Sequence, residues 1–451
     1  MTATPPDTGP PSLLRHRDFM LLWSGQTVSE IGSTITPFAL PFIAVTALDA
    51  SNFQAGLLTA LGSLAFLLVA LPAGVVVDRV ARHRLMMWCD VLRAVVIATV
   101  PVAWYLDTLT LTHLCAVALV TGSLTVFFDV AYQSYLPVLV ETDSLIDANG
   151  KLGTTSSSAA TLGPTVAGVL VAAFGGARAL AADAVSFLVS AVSLFLIRTP
   201  EPKPARPEGP RPSFRQDMGE GLGFVLHHPV LRRIVACTGT VNLFAHMALA
   251  MEMPFLIRVL GLSPGRAGLL LALGPVGGVV GGLLAGRLAR AVGSARIIWL
   301  APLALGLPSF LTPLAYPGWR VVLYGIGWFS FTFGAVVYNT AQVTYRQRIC
   351  PPELLGRMNA AVRWIVWGTI PLGALLGGTF ATWYGLRATL WIGLIGSSLG
   401  GLWVLFSPLR NLRDVEPAPA GAETNTEADT EIEAGTEAGS ESTAGSGTEA
   451  G

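Results

Sequence analysis

Long apolar stretches recur along nearly the whole chain, and they constrain its fold more than any other feature. Uncharged runs include 51–77, 108–128, 152–177, 267–286 and 321–345. A helix needs roughly 20 mostly apolar residues to cross the hydrocarbon core of a bilayer. Only 12% of the residues are charged, which is about half the usual share for a soluble globular protein. The sequence therefore predicts an all-α polytopic membrane protein rather than a soluble core.

Hydropathy and turn residues divide the chain into twelve predicted spans. Their estimated bounds are 19–47, 53–77, 84–106, 110–138, 148–174, 177–197, 232–259, 265–289, 295–316, 320–346, 358–384 and 387–408. The longest connection, 198–231, begins with a proline-rich polar stretch and continues into a short amphipathic piece. Such a connector halfway along the chain predicts two six-helix halves, 19–197 and 232–408.

The distribution of basic residues predicts the orientation in the membrane. If the N-terminus is cytoplasmic, 22 of the 28 Lys and Arg residues fall on the cytoplasmic side and five on the other, with Arg93 inside the third span. Because basic loops stay in the cytoplasm, we expect a bacterial inner-membrane protein with both termini inside. The N-terminal segment 1–18 and the C-terminal tail 409–451 would then be cytoplasmic, and the acidic composition of the tail predicts disorder.

An internal repeat links the fourth span to the tenth. Phe128-Asp129-Val130-Ala131 matches Tyr338-Asn339-Thr340-Ala341 at an offset of 210 residues, and Tyr135 matches Tyr345 at the same offset. Two homologous halves of like orientation predict a pseudo-two-fold axis along the membrane normal. Transporters built this way hold the substrate between the halves and expose it to either side in turn. The repeat therefore favours transport over a membrane-embedded enzyme.

A charged motif follows the second span. It comprises Gly74, Asp78, Arg79, Arg82 and Arg84. The motif resembles the G-x-x-x-D-R-x-x-R-R signature of the major facilitator superfamily in its usual loop between helices two and three, with His83 replacing one basic residue. The resemblance implies a gating role, in which Asp78 would face the N-terminal end of the eleventh helix and hold the halves together on the cytoplasmic side.

Further segments resemble the branch that contains macrolide-efflux proteins and the enterobactin exporter. They are 22–29, 127–140, 183–187, 221–229 and 371–378. This resemblance implies proton-driven export of a drug, an antibiotic or a siderophore, with the proton gradient as energy source and no cofactor. Where the branch often has an acidic residue after the glycine of the first helix, this chain has Gly32-Ser33, and Glu30 lies three residues earlier.

Ionisable residues inside spans are costly, face the bundle interior and are functional candidates. Glu30 lies near the middle of the first span and Asp129 in the fourth, where its repeat mate in the tenth is the neutral Asn339. We expect Glu30 or Asp129 to be the proton-coupling acid. The alternative is that Asp129 is a structural partner of Arg93.

Polar and aromatic residues of both halves are candidates for lining a substrate cavity, although ordinary helix packing would also explain them. They are Gln26, Phe38, Tyr132, Asn242, His246, Tyr338, Asn339, Gln342 and Arg363. No metal site, catalytic motif or nucleotide-binding loop is predicted, so an enzyme is not expected.

The leading hypothesis is a monomer in the lipid bilayer that exports a small amphipathic molecule and does not bind nucleic acid. A siderophore exporter or a lysolipid transporter of the same fold is the first alternative. A non-transporting sensor or a membrane-embedded enzyme is the alternative from a different class.

Overall fold

The computed structural model describes residues 13–77, 79–141, 144–201, 214–350 and 352–414. Within these ranges twelve helical segments are long and apolar enough to cross a membrane, and no strand occurs. In chain order the spans are Arg17–Thr46, Asn52–Val77, Arg82–Tyr105, Leu111–Leu139, Leu145–Phe174, Gly176–Phe195, Leu231–Val259, Pro264–Val292, Arg296–Leu314, Trp319–Ile349, Pro352–Tyr384 and Leu386–Leu405. The predicted all-α multi-pass fold is therefore confirmed, and only the eleventh span begins clearly earlier than expected.

Several spans are not continuous α-helices. The first is broken between Gly32 and Ile35, and the seventh passes into a π-helical turn over Phe255–Val259. Irregular backbone at membrane depth is tolerated where other helices bury it. At Gly32 the sixth span lies so close that an added methyl group would be 2.0 Å from the Ser186 hydroxyl. Only glycine permits this approach.

Equivalent spans pack in equivalent pairs along the chain. The second span packs against the fourth as the eighth packs against the tenth, and the first packs against the sixth as the seventh packs against the twelfth. The sequence repeat that links the fourth and tenth spans thus coincides with a repeat in packing. Two pairs of spans make the most extensive contacts between the first six helices and the last six: the second with the eleventh, and the fifth with the eighth. The first span also packs against the seventh.

The two ends of the cleft between these groups differ. We call the end where the first span begins and the twelfth ends the terminal face, and the other end the opposite face. At the opposite face, a methyl group added to Gly56 would lie 2.7 Å from the carbonyl oxygen of Ala374 and 2.8 Å from Cα of Gly378. A methyl group on Gly168 would lie 2.9 Å from Cα of Gly268. The helix backbones therefore touch and close the cleft there.

At the terminal face the same helices stand apart. Among the residues that the structure describes, none lies within 4 Å of a methyl group added to Gly74 of the second span, Gly153 of the fifth or Gly356 of the eleventh, apart from their own local backbone. Gly286 of the eighth span meets only Arg290 of its own helix. The cleft is consequently open at the terminal face and closed at the opposite face.

An arginine ties the two groups together at the closed end. Arg258 of the seventh span donates hydrogen bonds to Asn52 Oδ1 at 2.9 Å and to the Ala50 carbonyl oxygen at 2.5 Å. Asn52 Nδ2 in turn donates to the Ala381 carbonyl oxygen at 3.1 Å. These bonds join the second, seventh and eleventh spans and the loop before the second span across the closed end of the cleft.

The described part of the central connection forms a linker helix, Phe214–His227, which packs against the eleventh span. Glu220 on this helix forms an ion pair with Arg357 of the eleventh span. The predicted disorder of the tail after Asp414 lies outside the described residues.

Candidate functional site

The two predicted coupling acids lie near each other in the interior of the first six spans. Asp129 is close enough to Glu30, Arg93 and Arg363 to interact electrostatically with each of them. Glu30 is half-buried and accepts a hydrogen bond from Gln26 Nε2 at 3.2 Å. Asp129 is also half-buried, and no hydrogen bond reaches its carboxylate from the residues that the structure describes. The folding of the first, fourth and eleventh spans thus brings together acids and a base that are far apart in sequence.

Arg93 is the central cation of this interior. Its guanidinium forms a buried ion pair with Asp90, one turn earlier on the third span, and donates to Thr125 Oγ1 at 3.4 Å. It also lies over two aromatic rings, 4.5 Å from the centroid of Phe128 and 4.2 Å from that of Phe187. Asp90 is the contact partner of Arg93, whereas Asp129 interacts with Arg93 at longer range. The role of structural partner to Arg93, which was the alternative for Asp129, is therefore filled chiefly by Asp90.

Asp183 of the sixth span is a further buried carboxylate in the same interior. One of its oxygens accepts a hydrogen bond from the hydroxyl of Thr36, and the other accepts one from Ser186 at 3.2 Å. Arg93 is near enough to interact with it electrostatically. Sequence reasoning did not select Asp183 as a site residue, because its position near the end of a span resembled a boundary group.

A cavity of about 380 Å³ lies beside Asp183 between the first, second, fourth and sixth spans. We call it the inner chamber. Its wall combines hydroxyl groups with apolar and aromatic side chains and includes Thr36, Phe66, Thr121, Thr125, Asp183 and Phe187. A second hollow of about 640 Å³ lies between the first and fifth spans and includes Trp23, Thr27, Thr154, Thr155 and Ser158 in its lining.

The eleventh span contributes a cation from the other side of the cleft. Arg363 is exposed and stacks over Trp367, with its guanidinium carbon 4.3 Å from the ring centroid. Trp367 meets Phe66 of the second span edge to face, at 5.0 Å between ring centroids. This aromatic pair stands between Arg363 and the inner chamber, since Phe66 also lines that chamber.

The remaining lining candidates have different surroundings. Phe38 and Tyr338 are each only 4% exposed, so they offer almost no surface to the cleft in this conformation. The Tyr338 hydroxyl is hydrogen-bonded to Thr238 Oγ1 at 2.6 Å. Gln342 is buried and donates to Asn339 Oδ1 at 2.9 Å, whereas Asn339 itself is exposed. Of this group, only Asn339 presents a polar side chain to open space.

Three other candidates are partly accessible. Tyr132 is half-buried, with its ring 6.1 Å from that of Phe128, and it is within electrostatic range of Glu30 and Asp129. Asn242 donates to the Thr238 carbonyl oxygen at 2.9 Å within its own helix. His246 is half-buried where Gly373 of the eleventh span packs against the seventh.

The motif after the second span lies at the open terminal face. Asp78 lies outside the described residues. Arg82 starts the third span, where its backbone N–H donates to Glu201 Oε1 at 3.0 Å and its side chain donates to the Ser134 carbonyl oxygen at 3.3 Å. Arg79 and Arg84 are exposed. The predicted gating contact with the eleventh helix therefore stays a prediction.

The fifth span has polar side chains exposed at membrane depth on its terminal-face half. Thr154, Ser156, Ser157 and Ser158 are all exposed. Trp23 Nε1 donates to Thr155 Oγ1 at 2.9 Å and anchors this stretch to the first span. A helix this polar faces water rather than lipid, which agrees with a cleft open to solvent. The described residues contain no group of three or more His, Cys, Asp or Glu that could hold a metal ion.

Solved structures of transporters share the fold at low sequence identity. The nucleoside transporter NupG superposes with a TM-score of 0.69 at 12% identity, covering 87% of this chain and 99% of NupG. A bacterial homologue of the iron transporter ferroportin, in an inward-facing state, superposes with a TM-score of 0.66 at 15% identity over 88% of this chain and 99% of its own.

Sequence comparisons give the same assignment. The multidrug efflux pump Tap of Mycolicibacterium fortuitum is 26% identical over 416 residues, which cover 88% of this chain and 97% of Tap. Macrolide efflux protein A of Streptococcus pyogenes is 24% identical over 382 residues, which cover 82% of this chain and 93% of that protein. The profile of the Major Facilitator Superfamily matches residues 22–371. The chain is a multi-pass membrane transporter that belongs to the Major Facilitator Superfamily.

Proposed function

We propose that this transporter exports an amphipathic small molecule of the drug or antibiotic class in exchange for protons. The observation that carries the proposal is the pair Glu30 and Asp129 in the interior of the first six spans, where Asp129 is also within electrostatic range of Arg363 from the eleventh span. Carboxylates inside a membrane are costly unless they bind a proton, a cation or a basic side chain. A pair at this position can take up and release protons as the cleft changes its opening.

The cleft supports alternating access as the mechanism. It is closed by helix backbones at the opposite face and open at the terminal face. With both termini in the cytoplasm, as the Lys and Arg distribution indicates, this conformation is inward-facing. The substrate would enter from the cytoplasm or the inner leaflet, and rocking of the two six-helix groups would present it to the outside. We propose that the protein acts as a monomer without a cofactor.

The relatives support export of drugs over the alternatives. Two proteins that align with most of this chain are named for multidrug efflux and macrolide efflux. A siderophore exporter or a lysolipid transporter would use the same fold, and a transport assay over several substrate classes separates these possibilities. A non-transporting sensor or a membrane enzyme would give no accumulation or depletion in that assay.

The test is efflux from energised cells or uptake into everted vesicles, using a panel of dyes, macrolides, siderophores and lysolipids with and without a protonophore. Wild-type protein, Asp129→Asn and Glu30→Gln would be compared. The matched control is Asp107→Asn, which removes an exposed carboxylate in a loop at positive φ, where asparagine is tolerated. We expect extrusion that the protonophore abolishes, that is lost in Asp129→Asn or Glu30→Gln, and that persists in the control.

Extrusion that survives both carboxylate changes would reject these acids as the coupling site. Extrusion unaffected by the protonophore would reject proton exchange while leaving transport in place. Binding of a panel compound without any movement across the membrane would support the sensor.

A further inference from the structure

The interior of the first six spans contains more acidic than basic side chains, and the transport proposal uses only two of these acids, Glu30 and Asp129. In the described interior of the first six spans, Glu30, Asp90, Asp129 and Asp183 are carboxylic acids, and Arg93 is the basic side chain among them. Asp90 is the contact partner of Arg93. Asp183 has hydroxyl partners and no contact cation among the described residues. A carboxylate that is buried without a contact cation is costly when ionised, and a cationic group of a ligand would offset that cost.

The chamber beside Asp183 has the size and the surface of a ligand site. Its volume of about 380 Å³ falls in the range of pockets that hold small drug-sized molecules. Phe66 and Phe187 are among its lining residues. Aromatic faces attract cations, and Arg93 already lies over the Phe187 ring. Its lining therefore offers an apolar surface to the body of a ligand and a carboxylate to the positive charge of that ligand.

An unused hydrogen-bonding group also points into the chamber. Thr121 is 8% exposed and lines the cavity, and its hydroxyl oxygen has no partner among the described residues. A buried polar atom without a partner is costly. An N–H group of a ligand would satisfy it. Thr59 and Ser63 also line the chamber and donate their own hydroxyl protons to carbonyl oxygens of their helix, so their lone pairs remain available as acceptors.

The chamber adjoins the cleft at one side. Phe66 separates it from Trp367 and Arg363 of the eleventh span. Thr125 lines it one helical turn before Asp129. A ligand in the chamber would therefore lie next to the coupling acids without occupying their position.

We propose that the inner chamber binds the cationic end of the transported molecule, a protonated or quaternary amine on a compact apolar body, with Asp183 as its counter-ion. This inference rests on the proposed export function and adds a substrate class and a subsite to it. The six-helix group of residues 231–405 contains no equivalent site in its described part, because its buried acid, Glu252, is held by Tyr324 beside a void of only about 20 Å³.

The test measures binding to purified protein in detergent without a proton gradient. The probes are ethidium, followed by its fluorescence, and 3,8-diamino-6-phenylphenanthridine, the uncharged form of the same ring system, followed by thermal shift. We expect Asp183→Asn to weaken ethidium binding about 30-fold, the low end of what losing one member of a buried charge pair costs. Binding of the uncharged probe should not change. The matched control Glu252→Gln, a buried acid of the other six-helix group, should leave both affinities unchanged.

A second variant keeps the test decisive if Asp183→Asn does not fold. Ala118 lines the chamber, so Ala118→Leu fills part of its volume without changing charge, and we expect weaker binding of both probes. Ethidium binding that is unchanged in Asp183→Asn and in Ala118→Leu would overturn the proposal. Ethidium binding that depends on Glu30 and Asp129 but not on Asp183 would also overturn it.

These outcomes are separable from those of the transport proposal. Ethidium binding that does not depend on Asp183, together with intact protonophore-sensitive export, would reject the cation site and leave the export function standing. Asp183-dependent binding in a protein that moves nothing across the membrane would support the site and reject the export function.

Discussion

The interiors of the two six-helix groups carry different charge although their helices pack in equivalent pairs. The first group contains Asp90, Asp129 and Asp183 around Arg93, together with the inner chamber. The second group has Asn339 at the position equivalent to Asp129. Its tenth and seventh spans are joined by a hydrogen bond between two neutral hydroxyl groups, those of Tyr338 and Thr238. Packing equivalence has therefore been kept, while the groups differ in where their interior charges lie: acids surround Arg93 in the first group, and the second has Glu252 in its seventh span and Arg346 in its tenth.

This difference indicates a division of labour. A charged interior is expensive in a membrane and is maintained where a proton or a cation must bind. The second group contributes Arg363 to the cleft and Arg258 to the closed end, where both meet the first group. It therefore supplies arginine side chains, rather than acids, to these contacts with the first group.

The largest expected effect comes from removing the carboxylate of Asp129, and a double variant then places a carboxylate at the equivalent position of the second group. Asp129→Asn should lower protonophore-sensitive efflux roughly 100-fold, as expected for a positioned proton-transfer group. The double variant Asp129→Asn with Asn339→Asp should not recover, because the ninth span beside the tenth has no basic residue after Arg296 at its start. Restored efflux in the double variant would show that the two groups are interchangeable and would break the comparison.

A second prediction concerns stability and compares one buried acid in each group. Asp90→Asn leaves Arg93 buried without its contact partner and should lower the free energy of unfolding by about 3–5 kcal/mol. Glu252→Gln retains a hydrogen bond to Tyr324 and should cost about 1 kcal/mol. Unfolding in mixed micelles by circular dichroism measures both. Equal losses would argue that Arg93 finds another partner, for which Asp129 is the nearest choice.

A third prediction compares hydroxyl groups in the two interiors. Thr36→Val removes a hydrogen bond to the carboxylate of Asp183 and should destabilise the fold by about 2 kcal/mol, because bonds to charged groups are the stronger class. Thr238→Val removes a bond between two neutral hydroxyls and should cost about 1 kcal/mol, since Tyr338 also bonds to the Ile234 carbonyl oxygen. The same unfolding measurement applies, and a reversed order would contradict the assignment of the charge to the first group.

The smallest expected effect lies at the start of one span in each six-helix group. Glu201 caps the third span, whereas His228 caps the seventh by accepting from the backbone N–H groups of Val230 at 3.3 Å and Leu231 at 3.2 Å. Partial burial lowers the pKa of His228. The unprotonated ring is the acceptor, so this contribution is complete above a pH of about 6.5 and declines as the pH falls below it.

We expect the loss on acidification to be under about 1 kcal/mol, as for other N-caps. His228→Asn supplies an acceptor that does not titrate and should flatten this part of the pH profile of thermal unfolding. An unchanged profile in the variant would assign the pH dependence to other groups.

Much of the fold could be predicted because a bilayer imposes a simple rule on sequence. Each crossing needs a stretch of apolar residues, and the twelve predicted spans match the twelve described helices. The repeat between Asp129 and Asn339 also identified the fourth and tenth spans as equivalent, because it depends on local sequence alone.

The site could be predicted only in part, because packing rather than sequence sets which side chains meet. Thr36 and Asp183 are 147 residues apart and become partners only when the first and sixth spans pack. The break after Gly32 turns Phe38 into the core instead of the cleft. Which end of the cleft is open depends on a balance between two conformations, and no local pattern records that balance.

The closed end of the cleft has a consequence for the speed of the transport cycle. Gly56 meets Gly378, and Gly168 meets Gly268, as bare backbone against bare backbone. Parting such surfaces requires no side chain to change its rotamer and exposes few atoms that must be rehydrated. The contact can therefore separate and re-form many times without a repacking step. Turnover would then be timed by the release of Arg258 from Asn52 and by proton binding in the interior.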